Sequence, residues 1–166
     1  GRGWVDPEWP TEYGGGGLDR KHAAAVMAEL KAVRAPIVRS FGISMLGPTL
    51  LEFGTEEQKQ EFLPQIARGE LRLQAFGVTE PTAGSETLKL KTTAVKKGDR
   101  YIVNGQKIWT SRALYSDLMV LLARTTPLED VQKRSHGLSV FLIDLKEAQK
   151  NGCEIRPIET MINHNT

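Results

Sequence analysis

Near Leu71 the apolar residues of this sequence change their period. That change limits the folds open to the chain. Ahead of it, apolar residues recur at spacings of three and four, as they do along one face of a helix. Behind it, short apolar runs are separated by Gly, Asn and Asp, as they are in a turn-rich sheet. A chain that is helical first and strand-rich afterwards is α+β, with segregated parts instead of alternating βαβ units. The expected architecture is an N-terminal α-helical segment over residues 1–70, then a mostly antiparallel β-barrel or sandwich over residues 71–166.

The helical part begins with an irregular stretch rich in Gly, Pro and Trp that ends in Gly14-Gly15-Gly16-Gly17. Asp19 is a candidate N-cap. Val26, Leu30, Val33 and Ile37 share a face over a helix expected from Ala23 to Val38, with Pro36 kinking or ending it. A second apolar helix is expected over Ile43 to Phe53, closed near Gly54. Thr55 followed by Glu56, Glu57 and Gln58 reads as an N-cap with an acidic first turn. It opens a third helix, Glu56 to Arg68, with Phe62, Leu63 and Ile66 on one side and Gly69 as its stop.

In the strand-rich part, Leu73, Ala75 and Val78 belong to a first strand. Short strands are expected at Thr92 to Val95, Tyr101 to Val103 and Gln106 to Trp109. Gly98-Asp99 and Asn104-Gly105 supply the turns, and Asn-Gly is a strong hairpin signal. Leu118 to Ala123 and Leu138 to Leu145 suit buried strands, and Cys153 to Pro157 is a weaker one. Pro127 to Ser135, rich in charge, reads as an exposed loop.

Composition removes several function classes. The 22 basic and 20 acidic residues are interleaved, and a net charge of +2 offers no basic stripe for nucleic acid. No apolar run is long enough to span a bilayer. Three scattered His (His22 on an exposed helix face, His136 in a loop, His164 near the end) and one Cys make no metal-ligand pattern. A single cysteine cannot form an internal disulfide, which suits a reducing compartment. Cys153 reads as a half-buried small residue, since no His or base adjoins it in sequence. The first residue is Gly1, so the sequence reads as a processed chain or a piece of a longer one.

One stretch has chemistry in it. Phe76-Gly77-Val78-Thr79-Glu80-Pro81-Thr82-Ala83-Gly84-Ser85 runs from a strand into a turn of small and hydroxyl residues. Lys107-Ile108-Trp109-Thr110-Ser111 ends on an aromatic flanked by hydroxyls. Together they offer what a flat ring with a polar edge requires: donors, an aromatic wall, and glycine for close approach. Taken alone, Thr-Glu-Pro is equally a strand end with a turn, Ala-Gly-Ser an ordinary loop, and Trp109 a core residue. Glu80, the one acid in the stretch, reads as structural, bonded to backbone or a nearby base.

In order and spacing these features resemble the acyl-CoA dehydrogenase family. The resemblance is carried by Trp9-Pro10-Thr11-Glu12-Tyr13-Gly14-Gly15, by Phe53-Gly54-Thr55-Glu56-Glu57-Gln58-Lys59 with Leu63-Pro64 and Gly69-Glu70, and by Thr79-Glu80-Pro81 with Ala83-Gly84-Ser85. Asn104-Gly105-Gln106-Lys107-Ile108-Trp109 and Gly137-Leu138-Ser139 before Phe141-Leu142-Ile143 complete it. It covers almost the whole chain. The family's usual Trp-Ile-Thr is here Trp109-Thr110-Ser111, which keeps a hydroxyl at the last position on a freer side chain.

The resemblance implies FAD as cofactor, held by Phe76, Val78, Thr79, Gly84, Ser85, Trp109, Thr110 and Ser111. Val78 and Thr79 would meet the pyrimidine edge of the flavin, Trp109 would cover a face, and Ser111 would lie near N5. Ser85 would reach the flavin phosphates or the acyl-CoA. The implied reaction is α,β-dehydrogenation of an acyl-CoA thioester to the enoyl-CoA, with an electron-transfer flavoprotein as acceptor. The implied assembly is a homodimer or homotetramer in the bacterial cytoplasm or the mitochondrial matrix. The base that removes the α-proton is expected beyond Thr166, in a C-terminal helical bundle that these residues do not include. This piece alone is therefore expected to be inactive and to bind FAD weakly or not at all. An oxidase that hands electrons to oxygen, and a non-catalytic binding or assembly protein that keeps the fold, are the other readings.

Overall fold

The computed structural model describes residues 5–36 and 40–159, so Ile37, Val38 and His164 lie outside the described residues. The chain divides into two units, residues 1–73 and 74–166.

Among the described residues, unit one holds three α-helical stretches and a short 3-10 turn at Thr11–Tyr13. Helix α1 (Arg20–Ala32) is capped by Asp19, whose carboxylate accepts from the N–H groups of Lys21 and His22 at 2.9 and 3.0 Å. It stops at Ala32, short of the expected Val38. Arg34 turns left-handed at φ 52°, Ala35 N–H returns to Leu30 O, and Arg34 N–H returns to Lys31 O. That paired closure is a Schellman motif built without glycine. Pro36 disfavours helical geometry at Ala35, which places the stop here.

The second helix opens with a π-turn over Gly42–Leu46 and continues as α2 (Gly47–Phe53). Pro48 has no N–H to offer the preceding turn, and the ladder widens there. Gly54 follows the helix, as expected. Helix α3 (Glu56–Arg68) has the expected bounds. Thr55 and Gln58 form a reciprocal capping box, and Gly69 ends the helix at φ 72°. Leu63 and Ile66 are buried against Trp9, Tyr13, Leu50 and Ala67, with Phe62 half-buried beside them. The Tyr13 hydroxyl donates to Glu56 at 2.9 Å, and that bond pushes the Tyr13 pKa up to about 12.

Unit two is a mixed sheet. Its strands are β1 (Leu73–Gly77), β2 (Thr93–Lys97), β3 (Arg100–Asn104), β4 (Leu118–Arg124) and β5 (Leu138–Asp144). The order is β1-β4-β2-β3, with β5 also pairing β4. β2 and β3 are antiparallel from Thr93↔Asn104 to Lys97↔Arg100, around the Gly98-Asp99 turn. β4 and β5 are antiparallel from Leu118↔Asp144 to Arg124↔Leu138. β2 meets β4 in parallel at Thr93↔Arg124. Ala94, Leu121 and Ala123 make one small core on this sheet; Ala75, Ala113 and Leu145 make another.

Arg124, at the end of β4 and 6% exposed, donates to the carbonyls of Leu88, Arg134 and His136. It thereby ties down the largely exposed loop that includes Pro127 to Ser135.

Six local expectations are corrected. Gln106 to Trp109 is not a strand, and Asn104-Gly105 makes no hairpin. An added Cβ on Gly105 would collide with Thr92, since the chain continues alongside the residue before β2 one step past the Thr93↔Asn104 pair. Leu145 opens a short helix, α4 (Leu145–Lys150), because the Asp144 carboxylate accepts from the Glu147 N–H at 2.9 Å and caps it. Cys153 to Pro157 forms no strand, and Cys153 is exposed, not half-buried. Val78 falls just beyond the end of β1.

Among the described residues no helix is long and apolar enough to cross a membrane. Among them, too, no group of His, Cys, Asp and Glu is placed to hold a metal ion.

Candidate functional site

The end of β1 runs into a tight turn. Glu80 N–H donates to Ala83 O at 2.8 Å and Ala83 N–H returns to Glu80 O at 3.2 Å, with Pro81 and Thr82 at the tip. The turn brings Gly84 over Thr79: a Cβ added to Gly84 would touch only Thr79 Cγ2, at 3.9 Å. Nothing inside the described chain requires glycine there. The space it leaves faces outward, since Gly84 and Ser85 are both exposed.

Beneath the turn lies a buried ion pair. Lys107 Nζ sits 2.9 Å from Glu80 Oε1, and their side chains are 9% and 4% exposed. Glu80 Oε1 also accepts from Thr92 N–H at 2.8 Å, and Oε2 accepts from Lys91 N–H at 2.6 Å. Burial alone would raise the Glu80 pKa. The Lys91 and Thr92 donors and the Lys107 ammonium outweigh it and hold the carboxyl at about 2. Glu80 therefore has the structural role read from the sequence. The nearby base is Lys107, the one base in the stretch Gln106 to Ser111.

Lys107 also donates to Val78 O at 3.0 Å, and Ile108 N–H donates to Thr79 O at 2.9 Å. These bonds lay the 107–108 segment along residues 78–80. They bring Val78, Thr79 and Gly84 to one side of unit two, next to the start of the Trp109 loop.

That loop is strained. Trp109 and Arg112 are left-handed, at φ 58° and 60°. For non-glycine residues such a conformation costs about 1–2 kcal/mol each. Arg112 Nη1 donates to Gln74 Oε1 at 2.6 Å, Gln74 N–H donates to Ser116 Oγ at 2.7 Å, and Ser116 Oγ donates to Leu118 O at 2.7 Å. Gln74, Arg112 and Ser116 were missed by the sequence reading. Their roles depend on separations near forty residues that no local pattern displays.

On this rim Trp109 is 65% exposed and Ser111 is exposed. Ser111 N–H donates to Trp109 O at 2.9 Å. The buried Thr110 Oγ1 has no hydrogen-bond partner among the described residues. Neither does the Thr79 N–H among them. A buried hydroxyl without a partner, as at Thr110, normally carries a free-energy penalty, while half-buried Thr79 keeps its N–H open to a ligand. Here they lie in segments joined by the Ile108–Thr79 bond, beside an open glycine and an indole facing outward. The arrangement suits a flat ligand with hydrogen-bonding atoms along one edge. Phe76 lies within β1, half-buried, on the strand that leads into the turn.

Two family models match the chain: "Acyl-CoA dehydrogenase, N-terminal domain" over residues 1–70 and "Acyl-CoA dehydrogenase, middle domain" over residues 75–166. The chain belongs to the acyl-CoA dehydrogenase family.

Acyl-CoA dehydrogenase FadE26 of Mycobacterium tuberculosis is 39% identical over 164 residues, covering 99% of this chain and 40% of the relative. The solved structure of the Tcur3481-Tcur3483 steroid ACAD superposes with a TM-score of 0.77 at 34% identity, over 96% of this chain and 39% of that one. A 3-(aryl)acrylate reductase of Clostridium sporogenes is 38% identical over 147 residues, covering 87% of this chain and 38% of the relative. The chain thus spans about 40% of the length of the acyl-CoA dehydrogenases it matches. The helical part followed by a mixed sheet is the family's fold.

Proposed function

We propose that this chain is the flavin-facing part of an FAD-dependent acyl-CoA dehydrogenase. The observation that carries the reading is the pairing of an unpartnered Thr79 N–H with an unpartnered Thr110 hydroxyl, on segments joined by the Ile108–Thr79 bond. An edge of alternating acceptors and donors, such as the pyrimidine side of a flavin, would complement both. Bound FAD would supply the hydride acceptor for oxidation of the acyl chain.

The chain's own residues would bind and orient. Val78 and Thr79 offer backbone and hydroxyl groups to the ring edge, and the N–H of Thr79 favours negative charge gathering there. Gly84 leaves room for the approach, and Ser85 offers a hydroxyl at the exposed end of the turn, toward phosphate or acyl-CoA. The Trp109 indole would cover a face of the ring and keep water from it. Thr110 would offer its hydroxyl to the ring edge beside Thr79, and Ser111 would offer one next to it. Phe76 supports the strand from which the turn departs.

None of these residues removes the α-proton. A general base works best with a pKa near the working pH. Glu80, held at about 2 and saturated by donors, does not qualify. We assign the base to a carboxylate outside this sequence, with an electron-transfer flavoprotein as acceptor and a homo-oligomer as the working form. The likeness to a steroid enzyme makes a steroid acyl-CoA thioester the first substrate to try, beside straight-chain esters.

The test is to purify the intact protein, record its flavin absorbance, and follow dye reduction with an acyl-CoA while assaying enoyl-CoA. Flavin bands that bleach on adding the thioester, with enoyl-CoA formed, are expected. A protein that cannot be reconstituted with FAD would overturn the reading. Peroxide in stoichiometric yield would move it to an oxidase. Bound flavin that no thioester bleaches would favour a binding protein.

A further inference from the structure

The Glu80–Lys107 pair does more than hold two segments together. Lys107 Nζ donates to Val78 O at 3.0 Å as well as to Glu80 at 2.9 Å. Val78 C=O and Thr79 N–H belong to one peptide unit. A cation on the oxygen of a peptide draws electron density toward it and makes the N–H at the other end a stronger donor, as hydrogen bonds in series do. That N–H is the one without an acceptor among the described residues. The Thr79 carbonyl, on the next peptide, is taken by Ile108 N–H at 2.9 Å, so of the groups around Thr79 its N–H is the one left to a ligand.

We propose that Lys107 is a positioning residue for the flavin: it polarises the Val78–Thr79 peptide and so favours the reduced, more negative ring over the oxidised one. The proposal rests on the flavin reading above. Glu80 then has a second role. Buried beside Lys107, it neutralises the ammonium and limits how much of that charge the peptide passes on. The pair becomes a graded device, with the lysine pulling electron density and the glutamate moderating it.

A purely mechanical role for Lys107 makes a different forecast, and paired variants separate the two. Glu80→Gln keeps the cation on Val78 O and removes its counter-charge. Glu80→Gln with Lys107→Met removes both charges at similar volume. The readout is the flavin midpoint potential of the intact, FAD-loaded protein, titrated against a reference dye, with the affinity for oxidised flavin measured alongside.

The potential is expected to rise above wild type in Glu80→Gln and to fall below it in the double variant. The double variant should favour reduced over oxidised flavin about tenfold less than Glu80→Gln does, a gap of about 30 mV for a two-electron couple. Lys107→Arg, which keeps the cation, should hold the wild-type potential. Equal potentials in Glu80→Gln and the double variant, with flavin bound in both, would overturn the proposal while leaving the flavin reading intact. Failure of wild type itself to take up FAD would overturn both. If the double variant does not fold, Glu80→Gln with Lys107→Gln replaces it. That variant keeps a neutral donor of similar reach, and the same fall, smaller in size, is required of it.

Discussion

Removing the charge of Glu80 should destabilise this protein by an amount that disappears in acid. Each Glu80 oxygen is occupied: Oε2 by Lys91 N–H, Oε1 by Thr92 N–H and the Lys107 ammonium. A glutamine offers one acceptor oxygen and turns an NH2 toward one of those donors. Glu80→Gln therefore loses the charge and leaves at least one buried donor unmatched. The Glu80 pKa lies at about 2 against an ordinary 4.5. At about 1.4 kcal/mol per unit, ionised Glu80 contributes about 3 kcal/mol to the folded state. Loss of one partner from a buried ion pair falls in the same range, about 3–5 kcal/mol.

The sign follows from the depressed value. Above the unfolded-state pKa the carboxylate is charged in both states and the whole contribution is present. As the pH falls from about 4.5 toward about 2, the unfolded chain takes up a proton that the folded one resists, and the contribution is lost. Urea unfolding of wild type and Glu80→Gln, followed by far-UV circular dichroism at a series of pH values, reads this directly. The gap between them should be about 3 kcal/mol near neutrality and should close as the pH approaches the folded-state pKa. A gap of the same size at neutral pH and in strong acid would refute the reasoning. It would mean that packing, and not the carboxylate's charge, carries the cost.

Three other substitutions test separate parts of the account. Thr55→Ala removes half of the α3 capping box and should cost about 1 kcal/mol in a urea melt. Gly47→Ala places a methyl against the Trp9 indole, where there is no room, and should cost about 1–3 kcal/mol with a change in near-ultraviolet circular dichroism. Thr110→Val removes a buried hydroxyl that has no partner within the described chain. The flavin-free protein should keep or gain stability, read as its Tm, while flavin fluorescence titration should show weaker binding.

What could be read from the sequence followed the range over which each feature is decided. Helix α3 was legible to its end residues, because Thr55, Gln58 and Gly69 act within a turn of where they sit. Helix α1 was read too long. Its apolar spacing continues past Ala32, but the Pro36 restraint and a left-handed Arg34 end it first, and arginine carries no signature of that conformation. Asn104-Gly105 has the strongest hairpin chemistry in the chain and forms no hairpin. Gly105 is needed for its close pass over Thr92, a contact that local turn preference does not report. At the site, the small and hydroxyl residues of 78–85 and the Trp109 loop were visible as chemistry. What joins them was not: the Lys107–Glu80 bond closes 27 residues of chain, and the Arg112–Gln74 bond closes 38.

Trp109 is where the two ways of reading this chain diverge most, and one substitution decides between them. If Trp109 is a core residue, truncating it should cost about 3–5 kcal/mol, the usual loss for a large buried aromatic. The structure gives it little core to lose, at 65% exposed and on a left-handed backbone that tryptophan adopts only at a cost. In Trp109→Gly the new residue takes φ 58° without strain, which returns about 1–2 kcal/mol of strain. Against this stands the greater freedom of glycine in the unfolded chain, about 0.5–1 kcal/mol. These terms nearly cancel, and the covered third of the indole adds a modest burial loss, so the flavin-free protein should keep its urea-unfolding free energy to within about 2 kcal/mol. Flavin binding should fall sharply in the same variant, since most of the indole is open to a ring and little of it is packed. A loss of several kcal/mol without flavin would return Trp109 to the core and remove the wall from the site. An unchanged midpoint with weakened flavin binding would show strain held in place by the Arg112–Gln74 bond for the sake of a ligand the chain does not itself contain.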